Sequence, residues 1–306
     1  MSQNDSADTV IVHNPKSGSG DHTDAIRNRA DLLGYRIEQT EDPGDAIKFA
    51  RDAATTGVST IVAAGGDGTV HEVVQGIDQA GAFDDVTLGL LPVGTGNNFA
   101  KNIGITDIDT GFTALRDGER RQIDLGQAGN HPFVNSCIAG LTADSSSETS
   151  GEMKNRFGVL AYVITTLRSV SDFEPLRLTV DIETGGTETA EWTGEAICVL
   201  VGNGRRFTAD KGNQAYVEDG LLDVTVIKDV SALDLMSDTL IGQLSGEDSS
   251  HLVRAQTPGL SIRIHNPESI RFSLDGEIIQ ERELSLGVRE KVLRIVVGDA
   301  YDSDPG

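Results

Sequence analysis

Four short apolar runs rich in β-branched residues punctuate the first 125 residues: TVIVHN (9–14), YRIEQT (35–40), STIVAAGG (59–66) and VTLGLLPVG (86–94). Between them, TDAIRNRADLLG, GDAIKFARDAATTG and TVHEVVQGIDQAG place apolar residues at helical spacing and stop at glycine, as amphipathic helices do. This alternation predicts a doubly wound parallel sheet with helices on its faces. After RRQIDLG (120–126) the period changes to two. LRLTVDI puts Leu176, Leu178, Val180 and Ile182 on one face, and SIRIHN and SIRFSLDG repeat the pattern, so an antiparallel β-sandwich or barrel is expected. The change of rhythm places a boundary near residue 127, in the turn-forming QAGNHP, dividing the chain into 8–127 and 128–289. One apolar helix-like run, FGVLAYVITTLRSV (157–170), is too short to span a bilayer; it reads as core filling or as the wall of a lipid-tail pocket. ADSSSETSGE (143–152) reads as a mobile polar loop.

Composition narrows the functional classes. The chain has 306 residues, enough for one large or two medium domains. Its formal charge is -23, which leaves no basic surplus to neutralise phosphates and excludes nucleic acid as a partner. Acidic residues recur throughout while the seven lysines (Lys16, Lys48, Lys101, Lys154, Lys211, Lys228, Lys291) are scattered, a pattern similar to that of proteins from salt-loving archaea. Molar salt screens such self-repulsion over about 3 Å, so folding and activity are expected to need high salt. Cys137 and Cys198 lie in apolar contexts and read as small core residues, with neither a disulfide framework nor a zinc site. With no charged-then-apolar leader and no membrane-length run, a soluble cytoplasmic protein is expected.

The candidate chemistry sits where strands end. In an open parallel sheet, ligands bind beyond the carboxyl ends of the strands. Three of the four strands end in glycine-rich turns: NPKSGSG (14–20), GGDGT (65–69) and PVGTGNN (92–98). Glycine lets backbone N–H groups face an anion unobstructed, and a helix starting at Thr69 adds the positive end of its dipole. Asp67 would repel a polyphosphate unless a hard divalent cation stood between them, and magnesium is the expected mediator. No P-loop motif occurs, and Gly94-Thr95-Gly96 lacks the third glycine of a dinucleotide fingerprint. By spacing alone LDGE (274–277) is a hairpin turn.

Taken together, NPKSGSG, GGDGTVHEVVQG, LLPVGTGNNFAKNIGI, IDLG, VGNGRRF, DGLLDV and LDGE occur in this order over nearly the whole chain, and the set resembles the diacylglycerol kinase catalytic domain family, with its bacterial lipid kinase and sphingosine and ceramide kinase relatives. The resemblance implies a phosphofructokinase/NAD kinase-like α/β domain, a β-sandwich lipid-binding domain, and transfer of the ATP γ-phosphoryl group to a lipid hydroxyl. It also implies that the terminal stretch, 290–302, returns to the first domain. Nucleotide contacts fall on Asn14, Ser17, Gly65, Gly66, Asp67, Gly68, Thr69, Gly94, Thr95 and Asn97. Asp67 and Asp124 would serve magnesium and its waters, Glu277 would take the acceptor's proton with Asp275 beside it, and Asp219 and Asp223 would form either a structural metal site or, among so many surface acids, a solvated turn. An alcohol is a poor nucleophile until a positioned carboxylate accepts its proton, so the chemistry wants such a residue.

Two departures stand out. Asn98 occupies a position where the family commonly has aspartate, and TADKGNQAYVED replaces a glycine-rich stretch, which changes the pocket wall that selects the acceptor. The acceptor is then diacylglycerol or a related lipid, including an archaeal ether or isoprenoid lipid. The expected partners are ATP and a lipid met transiently at the inner membrane surface; a homodimer is left open. NAD kinase, which shares the Gly-Gly-Asp-Gly-Thr turn, is the rival enzyme, and a nucleotide- or lipid-binding regulator without turnover is the rival outside catalysis.

Overall fold

The computed structural model describes residues 8–19, 22–140, 174–184, 189–207, 214–229 and 251–305. The runs at 143–152 and 157–170 lie outside the described residues.

Four strands, β1 (Thr9–His13), β2 (Arg36–Gln39), β3 (Thr60–Gly65) and β4 (Thr87–Pro92), alternate with α1 (Thr23–Leu33), α2 (Asp45–Thr55) and α3 (Asp67–Ala80). They pair in parallel in the order β2-β1-β3-β4. β1, β4 and nearly all of β3 are buried along their length, as in a sheet covered on both faces, where strands read as continuous apolar runs. Ile11, Ile61 and Leu88 are fully buried there, each contributing about 1.5–3 kcal/mol relative to exposure. Two further helices, α4 (Asn98–Asn102) and α5 (Ile108–Asp117), follow. α5 starts with a reciprocal capping box between Asp107 and Thr110, which satisfies amides that the helix leaves free.

The remaining strands are antiparallel among themselves. β5 (Arg120–Ala128), β6 (His131–Phe133) and β7 (Ser136–Ala139) are followed by β8 (Leu176–Glu183), β9 (Thr189–Gly202) and β10 (Leu222–Lys228). β11 (Leu252–Thr257), β12 (Gly259–Ile264), β13 (Ile270–Leu274), β14 (Glu277–Glu281) and β15 (Glu283–Val296) complete the described chain. Leu176, Leu178, Val180 and Ile182 are all buried, the alternation that a half-buried strand requires. They join a second core with Val199, Val224, Ile262 and Phe272. Cys137 and Cys198 are free and buried.

One long strand joins the two regions. β15 pairs with β12 over Glu283–Gly287 and runs beside β4, where Ile295 meets Leu88 in parallel. Its Leu293, Ile295 and Val296 belong to the core of the parallel sheet, so the end of β15 packs with the parallel strands. Along its length it also pairs with β5, with a bulge between Arg289 and Leu293, where Lys291 adopts a left-handed conformation at φ 51°. A bulge re-aims the chain locally, and here it turns the Lys291 amide toward Asp124.

Candidate active site

The three glycine-rich turns lie against one another at the ends of β1, β3 and β4. A Cβ on Gly94 would stand 2.4 Å from Gly66 Cα and 3.1 Å from Gly66 N, and one on Gly18 would stand 2.1 Å from the Val93 carbonyl oxygen. Only backbones without side chains approach so closely. Hydrogen bonds brace the contact. Asn14 N donates to the Ala64 carbonyl at 2.9 Å and Val93 N to that of Gly65 at 3.1 Å. The Asn14 side chain reaches Thr69 Oγ1 at 3.3 Å. In the third turn, Asn97 closes a loop on Gly94, accepting from its N at 3.0 Å and donating to its carbonyl at 2.7 Å. Its amide is thus spent inside the turn, while Thr95 is exposed.

α3 begins at this junction with no side-chain cap, since its N-cap is Gly66. The first-turn amides of Asp67, Gly68 and Thr69 therefore lack intrahelical acceptors, and nothing lies within 4 Å of where a Gly68 Cβ would be. Asp67 does not cap its own helix. Its carboxylate turns to α4, accepting from Asn98 N and Phe99 N at 3.0 Å each and from Asn98 Nδ2 at 3.2 Å. Asn98 thereby satisfies an oxygen that a second carboxylate would repel.

The LDGE turn closes a tight hairpin in which Leu274 pairs with Glu277. Asp275 and Gly276 both have positive φ, 51° and 108°, as the favoured two-residue hairpin turn demands of an Asp-Gly pair. Asp275 is fully buried. Its oxygens accept from Val134 N at 2.7 Å, Asn135 N at 2.9 Å and Ser136 N at 2.8 Å. It also meets His71 Nδ1 at 3.2 Å. Glu277, 42% exposed, meets His71 Nε2 at 3.0 Å through Oε2, which also accepts from Gln75 Nε2. The late hairpin is thus pinned to α3 one turn beyond the glycine motif.

The charges follow from these contacts. Burial pushes the Glu277 carboxyl up, but the His71 and Gln75 hydrogen bonds outweigh it and the group sits below its ordinary value. Burial likewise disfavours charge on His71, yet the hydrogen bonds and charges of Asp275 and Glu277 prevail and raise its pKa. Arg205, coupled to both Asp67 and Asp275, loses some basicity to burial. Its guanidinium lies 5.6 Å from the Phe207 ring centroid.

Asp124 has a different set of partners. It is buried, its Oδ2 accepts from Gly220 N at 2.7 Å and its Oδ1 from Lys291 N at 2.8 Å. Burial raises its pKa against those bonds. Asp219, raised by burial and by the charges of Asp124 and Asp223, shares this neighbourhood. Asp223 is engaged with Gln256 at 3.0 Å and Arg206 at 3.8 Å. Among the described residues no group of three or more His, Cys, Asp or Glu side chains is gathered as a ligand set for a metal ion.

The turn residues foreseen from sequence therefore gather at one junction, with Asp275 and Glu277 reaching the same helix. Three residues were not foreseen: His71, Gln75 and Arg205. The signal for the first two was a pair of polar side chains four apart on an otherwise apolar helix face, in VHEVVQG. That spacing puts both on one side.

Comparisons with known proteins bear on the family and the fold. Residues 8–128 match the diacylglycerol kinase catalytic domain, and residues 135–297 match the YegS C-terminal NAD kinase beta sandwich-like domain. A Pseudomonas aeruginosa protein named "Probable lipid kinase YegS-like" is 31% identical, covering 94% of this chain and 92% of its own. An Escherichia coli O127:H6 protein named "Probable lipid kinase YegS" is 30% identical over 87% of each chain. Among solved structures, that of a diacylglycerol kinase from Bacillus anthracis str. Sterne superposes with a TM-score of 0.71 at 21% identity, covering 96% of this chain and 98% of its own. That last likeness speaks for the fold alone.

Proposed function

Because the chain belongs to the lipid kinase family that joins a diacylglycerol kinase catalytic domain to a YegS-type β-sandwich, we propose that it transfers the γ-phosphoryl group of ATP to the hydroxyl of diacylglycerol or a related ether or isoprenoid lipid. Residues 8–127, with 290–302 returned against β4, are the nucleotide half, and 128–289 the acceptor half. The observation that carries this reading is the arrival of Glu277, with a partly exposed carboxylate, one turn beyond the free amides of α3.

Phosphate oxygens are bound by the N–H groups of Asp67, Gly68 and Thr69 and by the exposed third turn, with Ser17 at the rim of the first. Asp67 already accepts three N–H donors, and a carboxylate has about four acceptor positions, which leaves one for a magnesium ion or its water. The residues thus fit an ion that draws most of its ligands from phosphate and water; when bound, it neutralises charge on the phosphates. Glu277 takes the proton of the acceptor hydroxyl, whose oxygen bonds to the γ-phosphorus while the bond to the bridging oxygen of ADP breaks. Such proton acceptance contributes about 10²–10⁴-fold to a rate. Arg205 balances the carboxylates that flank the path.

No helix among the described residues is long and apolar enough to cross a membrane, and the net charge of -23 opposes anionic headgroups at low salt. The lipid is met in a transient peripheral encounter. The test is incubation with γ-labelled ATP, magnesium, high salt and total lipid extract, then organic extraction. Label in the organic phase is expected, and label on NAD in the aqueous phase would overturn the reading. Asn98 favours one second reading, a nucleotide-binding protein without turnover; tight ATP binding with no label transferred would support that instead.

A further inference from the structure

We infer that His71, with Gln75, is a positioning residue that fixes Glu277 for proton acceptance by bridging it to the buried Asp275. This inference rests on the reading of Glu277 as the proton acceptor.

The geometry leaves little freedom. Nδ1 lies 3.2 Å from Asp275 Oδ2 and Nε2 lies 3.0 Å from Glu277 Oε2. An ionised carboxylate can only accept, so a doubly protonated ring satisfies both carboxylates at once, and the raised pKa of His71 favours that form; the Gln75 amide nitrogen stands 3.0 Å from the same Nε2. Asp275 cannot turn to follow it, because three backbone amides from 134–136 hold its oxygens. The ring is therefore clamped at one end by a fixed anion, and the other end dictates where Oε2 of Glu277 sits. Gln75, one helical turn further along α3, donates to the same oxygen. Oε2 is saturated, and among the described residues Oε1 has no protein donor. That oxygen is the one free to accept a proton.

The arrangement matters because Glu277 is 42% exposed on an edge strand, where an unbraced glutamate would sample several rotamers. Side-chain ordering of that kind costs up to about 1.5–2 kcal/mol, and here the fold has already supplied it. The charged and titratable groups around the bridge are Asp275 and Glu277 on the hairpin, Glu72 on α3 and His131 at the start of β6, with Arg205 reached through Asp275. When His71 loses a proton, one nitrogen lone pair must face a carboxylate oxygen. The bridge then loses one of its two hydrogen bonds and holds Glu277 less firmly, with Gln75 still donating to Oε2, which places a decline of activity on the alkaline side.

Two variants and one spectroscopic reading test this. His71→Gln removes the titrating ring, and Gln75→Leu removes only the second donor while leaving the Asp275 clamp. With dioleoylglycerol in detergent micelles as acceptor, kcat in His71→Gln is expected to fall about 10²-fold with the ATP dissociation constant unchanged. Its acid limb should move up as Glu277 loses its cationic neighbour. Gln75→Leu should lower kcat about tenfold at constant KM. A folded His71→Gln with wild-type kcat and unmoved pH limbs overturns the inference, and so does an unchanged kcat in Gln75→Leu if the first variant fails to fold. The spectroscopic arm needs no kinase activity: ¹⁵N-histidine NMR should find His71 carrying both ring protons at pH 7, with its titration midpoint lowered in Glu277→Gln. A neutral His71 at pH 7 in the wild-type chain overturns the bridge. A wild-type chain with a protonated His71 that phosphorylates no lipid overturns the kinase reading instead, and with it the role of Glu277, while the bridge stands.

Discussion

Replacing Gly94 by alanine should separate the second and third turns and weaken nucleotide binding together. The added Cβ would lie 2.4 Å from Gly66 Cα and 2.9 Å from Asn97 Oδ1, whereas carbon atoms rest at about 3.5–4 Å. The turns must therefore part by about 1 Å, or Asn97 must abandon its bonds to Gly94. Gly94 is not among the residues with positive φ, so crowding rather than backbone strain sets the cost, about 1–3 kcal/mol for overpacking. At about 2.1 cal/mol/K per residue, the 306-residue chain has an unfolding entropy of about 0.64 kcal/mol/K, so the melting temperature should drop about 2–5 °C. Misplacement by about 1 Å near reacting atoms costs about 10²-fold in rate. Gly68→Ala is the control: nothing lies within 4 Å of its Cβ position, so its melting temperature should match or slightly exceed the wild type. Thermal unfolding and ATP calorimetry on both variants decide the matter. A Gly94→Ala protein that melts within a degree of wild type and binds ATP equally well would refute the contact as the organiser of the cradle.

Three further outcomes follow from the charges. The raised His71 contributes stability that is full below its ordinary 6.5 and lost as pH rises through its folded value, whereas the lowered Glu277 contributes stability present above 4.5 and lost as pH falls through its folded value. The melting-temperature difference between wild type and His71→Gln should therefore be widest at about pH 5–6.5 and narrow toward pH 9; a difference independent of pH would contradict this. Asn98→Asp replaces a donor to Asp67 by a like charge, so it should lower the magnesium concentration for half-maximal activity and lower metal-free stability; an unchanged magnesium titration would count against Asp67 as the ion's holder. With a net charge of -23, raising potassium chloride from about 0.1 M to molar shortens screening from about 10 Å to 3 Å and should raise the melting temperature, a trend that a flat salt series would exclude.

Much of the first half was legible because its signals are local. β1, β3 and β4 are short apolar runs, and α1 and α3 stop at Gly34 and Gly81 in left-handed conformations. That the glycine turns share one junction followed from the rule that parallel strands end on one side. α4 and α5 escaped notice: α4 has five residues, and α5 announces itself only through the Asp107–Thr110 capping box. The bridge from His71 to Asp275 and Glu277 spans 204 and 206 residues of sequence, and no local pattern encodes a partner so distant. The same limit applies to Asp124, whose carboxylate answers to Gly220 and to an amide that a bulge in β15 presents. Asp67 read as a metal holder because it sits among glycines, yet its engagement with α4 depends on a turn thirty-one residues later.

The most direct test of the account is a crystal structure with magnesium and a non-hydrolysable ATP analogue. It should show the triphosphate on the amides of 67–69 and against the 94–97 turn, with the γ-phosphate facing the free oxygen of Glu277 and room between them for one hydroxyl. A triphosphate bound away from these turns, or a Glu277 carboxylate directed away from the γ-phosphate, would contradict it.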